Sequence, residues 1–123
     1  MITKPRRIPI GGDLVLKVAP YDLYDAAGEK ILVTALQRFD MTFVCGGVEK
    51  AMHYIPTGGT SSGVSAVTPS TGDPYLVVCL CTDDFKPGDL VLKSVASIPD
   101  ARFSMHNSVR KEPSEIPLMI SLF

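Results

Sequence analysis

Seven consecutive residues, Tyr75-Leu76-Val77-Val78-Cys79-Leu80-Cys81, are apolar without interruption. Pro74 precedes the run, and Thr82-Asp83-Asp84-Phe85-Lys86-Pro87-Gly88-Asp89 follows as a turn. An apolar run this short, bounded by turn signals and rich in branched side chains, reads as a strand that is dry on both faces. Residues 90–98 form a second strand, apolar on one side and mixed on the other. Residues 73–98 therefore read as the centre of a β domain.

Ten prolines and ten glycines, spread through the 123 residues, cut short any helical pattern. Turn signals recur at roughly the 8–12-residue spacing of an all-β sandwich or barrel. Residues 4–10 are extended, because Pro5 and Pro9 forbid a helix and suit an edge strand. Leu14, Leu16 and Val18 alternate with Val15, Lys17 and Ala19, which predicts a strand with one buried face. Residues 31–36 favour strand over a short helix. Met41, Phe43 and Cys45 alternate with Thr42 and Val44, and Gly46-Gly47 turns the chain into a hairpin partner at 50–55. Residues 56–72 read as a mobile, glycine-rich tip with a short edge strand at 64–68. Residues 99–115 read as a long connection, and 116–123 as a closing strand with Ile116, Leu118, Ile120 and Leu122 on one face. The expectation is one all-β domain over 1–123, an immunoglobulin-like antiparallel sandwich of seven or eight strands, with a small barrel as the alternative. Residues 1–10 would form an extended N-terminal arm.

Hydrophobic residues make up 46% of the chain, enough for a real core. The net charge of −1 offers no bulk field for nucleic acid or an anionic membrane. No run approaches the roughly 18 apolar residues of a membrane span, and no signal-peptide pattern follows Lys4, Arg6 and Arg7. Three cysteines are an odd count that suits free thiols and a reducing compartment.

The central strand carries Tyr75, Val77, Cys79 and Cys81 on one face and Leu76, Val78 and Leu80 on the other. One of these faces needs a cover beyond the facing sheet. The 99–115 connection and a partner subunit are the two candidates. Leu76, Val78 and Leu80, with Ile8 and Ile10 of the arm, are the residues expected to meet a partner.

The remaining polar groups have ordinary readings. Cys45, Cys79, Cys81 and His53 are the right residue types for zinc, but strand cysteines lack the turn knuckles of structural zinc sites. A Cys45–Cys79 bridge would lack the strand tryptophan of the antibody pattern. Asp83, Asp84 and Asp89 surround a Pro-Gly turn without calcium-loop spacing. His53 and His106 have no nucleophile motif with them. The 58–63 glycine-serine segment lacks the lysine of a phosphate loop. No cofactor, metal or small-molecule ligand is expected, and no enzymatic activity.

Ile10-Gly11-Gly12-Asp13-Leu14, Asp40-Met41-Thr42-Phe43 and Phe85-Lys86-Pro87-Gly88-Asp89-Leu90 each lead into or out of a strand. In this order they resemble the immunoglobulin-like N-terminal domain of phage baseplate upper and fibre-type virion proteins. Residues 98–103 and 116–119 are similar to small virion proteins of phages and prophages of gut Bacteroidetes. The resemblance implies a non-enzymatic tail, baseplate or head-decoration component, assembled into the virion in the bacterial host cytoplasm. Its partners would be copies of itself and other virion proteins, with no nucleic acid or membrane. The alternative is a sandwich module that binds carbohydrate or a cell-surface ligand, against which the absence of tryptophan speaks.

Overall fold

The computed structural model describes residues 6–123. Among the described residues, eight strands form two layers, the all-β sandwich that the strand count predicts. The larger sheet contains β1 (Arg6–Ile8), β3 (Arg38–Cys45), β4 (Val48–Tyr54), β7 (Gly88–Pro99) and β8 (Val109–Leu122). Its order is β1-β8-β7-β3-β4. The smaller sheet contains β2 (Asp13–Val18), β5 (Val64–Val67) and β6 (Tyr75–Cys81), in the order β2-β6-β5. Every pairing is antiparallel except that of β1 with β8.

The two strands of the 73–98 stretch do not pair with each other. β6 is the middle strand of the small sheet and β7 the middle strand of the large one. The turn between them carries the chain across the sandwich. Thr82 anchors that crossing. Its buried hydroxyl donates to the Gly12 carbonyl (2.6 Å) and accepts from the Gly11 N–H (3.0 Å).

One apolar cluster fills the space between the layers. Leu76, Val78 and Leu80 of β6 meet Met41 and Phe43 of β3 and Leu90, Leu92 and Ile98 of β7. Their alternation is complete: each of these side chains is at most 2% exposed. The hairpin between β3 and β4 has the expected two-residue Gly46-Gly47 loop, with both residues at positive φ as a type I′ turn requires. Gly46 has a second reason to be glycine. A Cβ there would stand 2.5 Å from the Lys86 carbonyl oxygen.

Three expectations change. Residues 31–36 contain a 3-10 turn at Val33–Ala35, not a strand. The i, i+3 spacing of Val33 and Leu36 lets that turn drop both side chains into the core. The 99–115 connection is mostly strand: β8 starts at Val109 and pairs with β7 as far as Pro99. The glycine-rich tip is tied down. The Thr60 hydroxyl bridges the Ile55 N–H and carbonyl (3.0 and 3.1 Å), and Ser61 bonds His53 through its N–H and its hydroxyl.

Asp100 braces the turn between β7 and β8. The residue is 2% exposed. One carboxylate oxygen accepts from the Arg102 N–H (3.1 Å) and Nε (2.9 Å), the other from Arg102 Nη2 (2.7 Å) and Arg110 Nη1 (2.8 Å). Arg110 also donates to the Tyr24 carbonyl, which ties the turn to the connection after β2. Arg102 first, and Arg110 after it, hold the Asp100 carboxyl well below the usual carboxylate range. A carboxyl held down in the folded state stabilises the protein above its unfolded pKa, about 3.9, and loses that contribution as pH falls below it.

Two outcomes are expected. Leu80→Ala lowers stability by about 3 kcal/mol, whereas Val15→Ala on the outer surface of β2 stays within about 0.5 kcal/mol, both read by urea unfolding. Asp100→Asn melts below the wild type at neutral pH, and the gap narrows as thermal melts move into acid, because only the wild type loses the brace there.

Candidate partner-binding face and groove

The register of β2 on β6 decides which apolar face turns outward. Leu14, Leu16 and Val18 stand opposite Leu80, Val78 and Leu76. Lys17 stands opposite Val77 and Val15 opposite Cys79. Directly opposed residues share a face, so the charged Lys17 turns the whole Tyr75, Val77, Cys79, Cys81 row to solvent. Leu76, Val78 and Leu80 are therefore core, at 0%, 0% and 1% exposure, and not the partner-binding row expected from the sequence. Their role is corrected to holding the two layers together.

The outward face of the small sheet is apolar for a solvated surface. Val15 is 73% exposed and Cys79 is exposed, with half-buried Val77, Val67 and Tyr75 around them. Ser65 and Lys17 flank Val77 across the sheet. The Lys17 ammonium lies 4.3 Å from the centre of the Tyr75 ring, a cation–π contact that keeps the charge off the apolar centre. The 99–115 segment does not cover this face, because it belongs to the other sheet.

Ile8 and Ile10 are half-buried and pack on the core of their own chain. β1 runs parallel to the end of β8, with Arg6 opposite Ile120 and Ile8 opposite Leu122. Arg7 stacks over the Phe123 ring at 4.5 Å. From Arg6 onward the basic arm is thus an edge strand of its own chain; Lys4 lies outside the described residues.

A groove of about 760 Å³ lies where the large sheet extends past the small one. Phe39, Leu92 and Ala96 form its floor. Pro20 and Leu23 stand on one wall, Ile116 and Leu118 on the other. Tyr21, 74% exposed, and Asp22 line it from the connection after β2, and Glu112 and Glu115 from β8. No short sequence pattern announces this groove. It exists because five strands face three.

The chemically reactive residues are scattered. Cys45 is buried in the core and donates to the Lys86 and Gly88 carbonyls at 3.2 Å, and burial pushes its thiol pKa up. Cys79 and Cys81 lie on the far side of the small sheet, so Cys45 does not face Cys79 and all three thiols are free. The Cys81 thiol donates to Asp83 (3.0 Å), which raises its pKa and keeps it a thiol. Among the described residues, no group of three or more His, Cys, Asp or Glu side chains is arranged to hold a metal ion. His53 lies 3.1 Å from the Ser61 hydroxyl through Nδ1 and 2.6 Å from the Gly59 carbonyl through Nε2. A carbonyl can only accept, so Nε2 carries the proton and Nδ1 accepts from Ser61. The Ser61 oxygen also accepts from the His53 N–H (3.0 Å), so the pair acts as a clasp for the 55–63 loop. The spacing of His53 from Gly59 and Ser61 was visible in the sequence, but a loop folding back on its own strand was not. His106 sits exposed in the 3-10 turn Ser104–His106. Among the described residues, no helix is long and apolar enough to cross a membrane. No protein-family model, curated protein or solved structure matches this chain.

Proposed function

We propose that this chain is a non-enzymatic structural protein of a phage or prophage virion, a tail, baseplate or head-decoration component that works by association. Its contacts are with copies of itself and with other virion proteins. The observation that carries the association is the outward face of the small sheet, where Val15, Val77 and Cys79 present apolar surface that the described residues leave uncovered. The virion setting comes from the resemblance of residues 10–14, 40–43 and 85–90 to baseplate and fibre-type domains.

A second role, binding carbohydrate or a cell-surface ligand, is favoured by one feature. Tyr21 stands exposed at the rim of the groove beside Asp22, an aromatic face next to a carboxylate. A glycan array probed with the purified protein separates the two, since hits that vanish in Tyr21→Ala assign the groove to sugar.

The association is read by light scattering on a size-exclusion column across a concentration series. The expected result is a defined oligomer that shifts to monomer in the Val15→Ser, Val77→Ser double variant without a matching loss of melting temperature. A monomer at every concentration removes self-association through this face.

A further inference from the structure

The two strand edges that flank the groove differ in their chemistry. The Gln37 N–H donates to the Ser97 carbonyl at 2.9 Å, so odd-numbered residues of β7 turn their backbone toward β3 and even-numbered ones toward β8. By the pairing register, Glu112, Ser114 and Ile116 of β8 turn toward β7, and Lys111, Pro113, Glu115 and Pro117 turn toward the free edge. Two of those four positions have no N–H. That edge is blunted against strand addition.

The β2 edge is not. The Cys79 N–H donates to the Gly63 carbonyl at 2.8 Å, so odd-numbered residues of β6 face β5 and even-numbered ones face β2. Leu14, Leu16 and Val18 therefore spend their backbone groups on β6, and Asp13, Val15 and Lys17 turn theirs outward. No proline interrupts this edge, and among the described residues no hydrogen bond reaches the backbone of Val15 or Lys17. A strand laid beside β2 would find donors and acceptors at every second residue. Beneath it would lie Phe39, Leu92 and Ala96, and beside it Ile116, which is 39% exposed although it turns toward the space between the layers.

We propose that the open edge of β2 accepts an extended segment of a partner protein as a fourth strand of the small sheet, with its alternate apolar side chains seated against Leu23, Ile116 and Leu118, above the buried floor of Phe39, Leu92 and Ala96. The segment carries lysine or arginine to meet Asp22, which lines the groove and has no ion-pair partner among the described residues; Glu112 is paired with Arg110 at 3.1 Å, and Glu115 stands opposite Lys93. A second copy pairing β2 with β2 is excluded by shape. β5 lies near β4, with Met52 reaching Gly63, so the large sheet overhangs the β2 side by β8 and β1. Two such overhangs would collide before the β2 edges met. A lone strand fits, by the same main-chain pairing that extended peptides use at other sheet edges. The site is the sheet edge and its groove; it shares only Val15 with the outward face invoked for self-association, through that residue's backbone and not its side chain.

A displayed library of random dodecapeptides, selected on the full chain and read by peptide affinity and amide hydrogen exchange, tests this. The expected winners alternate apolar residues, carry lysine or arginine, and slow exchange at the Val15 and Lys17 amides. Lys17→Pro removes an outward N–H and weakens them at least about tenfold, whereas Lys17→Ala, which loses the same side chain and keeps the N–H, stays within about threefold. Winners N-methylated on alternate residues lose binding to the wild-type protein in one of the two registers, which keeps the test independent of whether Lys17→Pro folds. Winners that bind both Lys17 variants alike, a selection in which no peptide protects those amides, or a sugar or peptide that perturbs Tyr21 while Val15 and Lys17 exchange freely would each overturn the proposal.

Discussion

A dry seam between β6 and the middle of the large sheet holds the two layers in register. Leu76, Val78 and Leu80 enter between Met41, Phe43, Leu90 and Leu92, and side chains this large and this buried leave little room for sliding. Because side chains alternate along a strand, fixing three residues of β6 inward fixes four outward. The outward row is itself apolar, so the small sheet has a surface that resembles a core face. The seam that stabilises the fold and the face offered to partners are thus two consequences of one seven-residue run.

The mismatch of five strands over three is the second constraint. A sheet edge beyond its neighbour's reach cannot bury both faces, and β8 shows it. Residues 111–117 are exposed along their whole length although they pair fully with β7. The chain handles this edge with prolines at 113 and 117 and with a corner further on. Leu118, Met119 and Ile120 stand against the single residue Leu90 of β7, with Met119 at φ 57°, and beyond this bulge Ile120 and Leu122 return to the core. Asp100 and its two arginines hold the other end of the same strand. β8 is therefore fixed at both ends and open in the middle, which is how a groove forms in so small a sandwich.

What was legible in the sequence follows from where burial is one-sided. β3 was readable because Phe39, Met41, Phe43 and Cys45 are buried while Asp40 and Thr42 are not, and Gly46-Gly47 marked its hairpin. β8 was hidden for the opposite reason: an overhanging edge strand buries neither face over residues 111–117, so Lys, Glu, Pro and Ser there look like a loop. The inward face of β6 is not legible from the run itself, because both of its faces are apolar and nothing within it distinguishes them. The information lay one strand away, in Lys17. Once β2 is paired with β6, a lysine opposite Val77 leaves only one face for solvent. The branched residues around Val33 and Leu36 favour a strand, but the core needs two side chains on the same side, three residues apart, which a strand does not supply.

The outward face and the open edge are not independent once a strand is added. Val15 belongs to both, with its side chain on the face and its backbone at the edge. A fourth strand beside β2 would set its own outward side chains next to Val15 and widen the apolar face by one strand, about 4.8 Å. Any partner that binds the widened face more tightly must, by linkage, bind more tightly to the protein whose edge is filled, and the filling segment must gain the same factor in return. The coupling needs no conformational change. It follows from one residue presenting its side chain to one surface and its N–H and carbonyl to another, on a sheet that stops two strands short of the layer it covers.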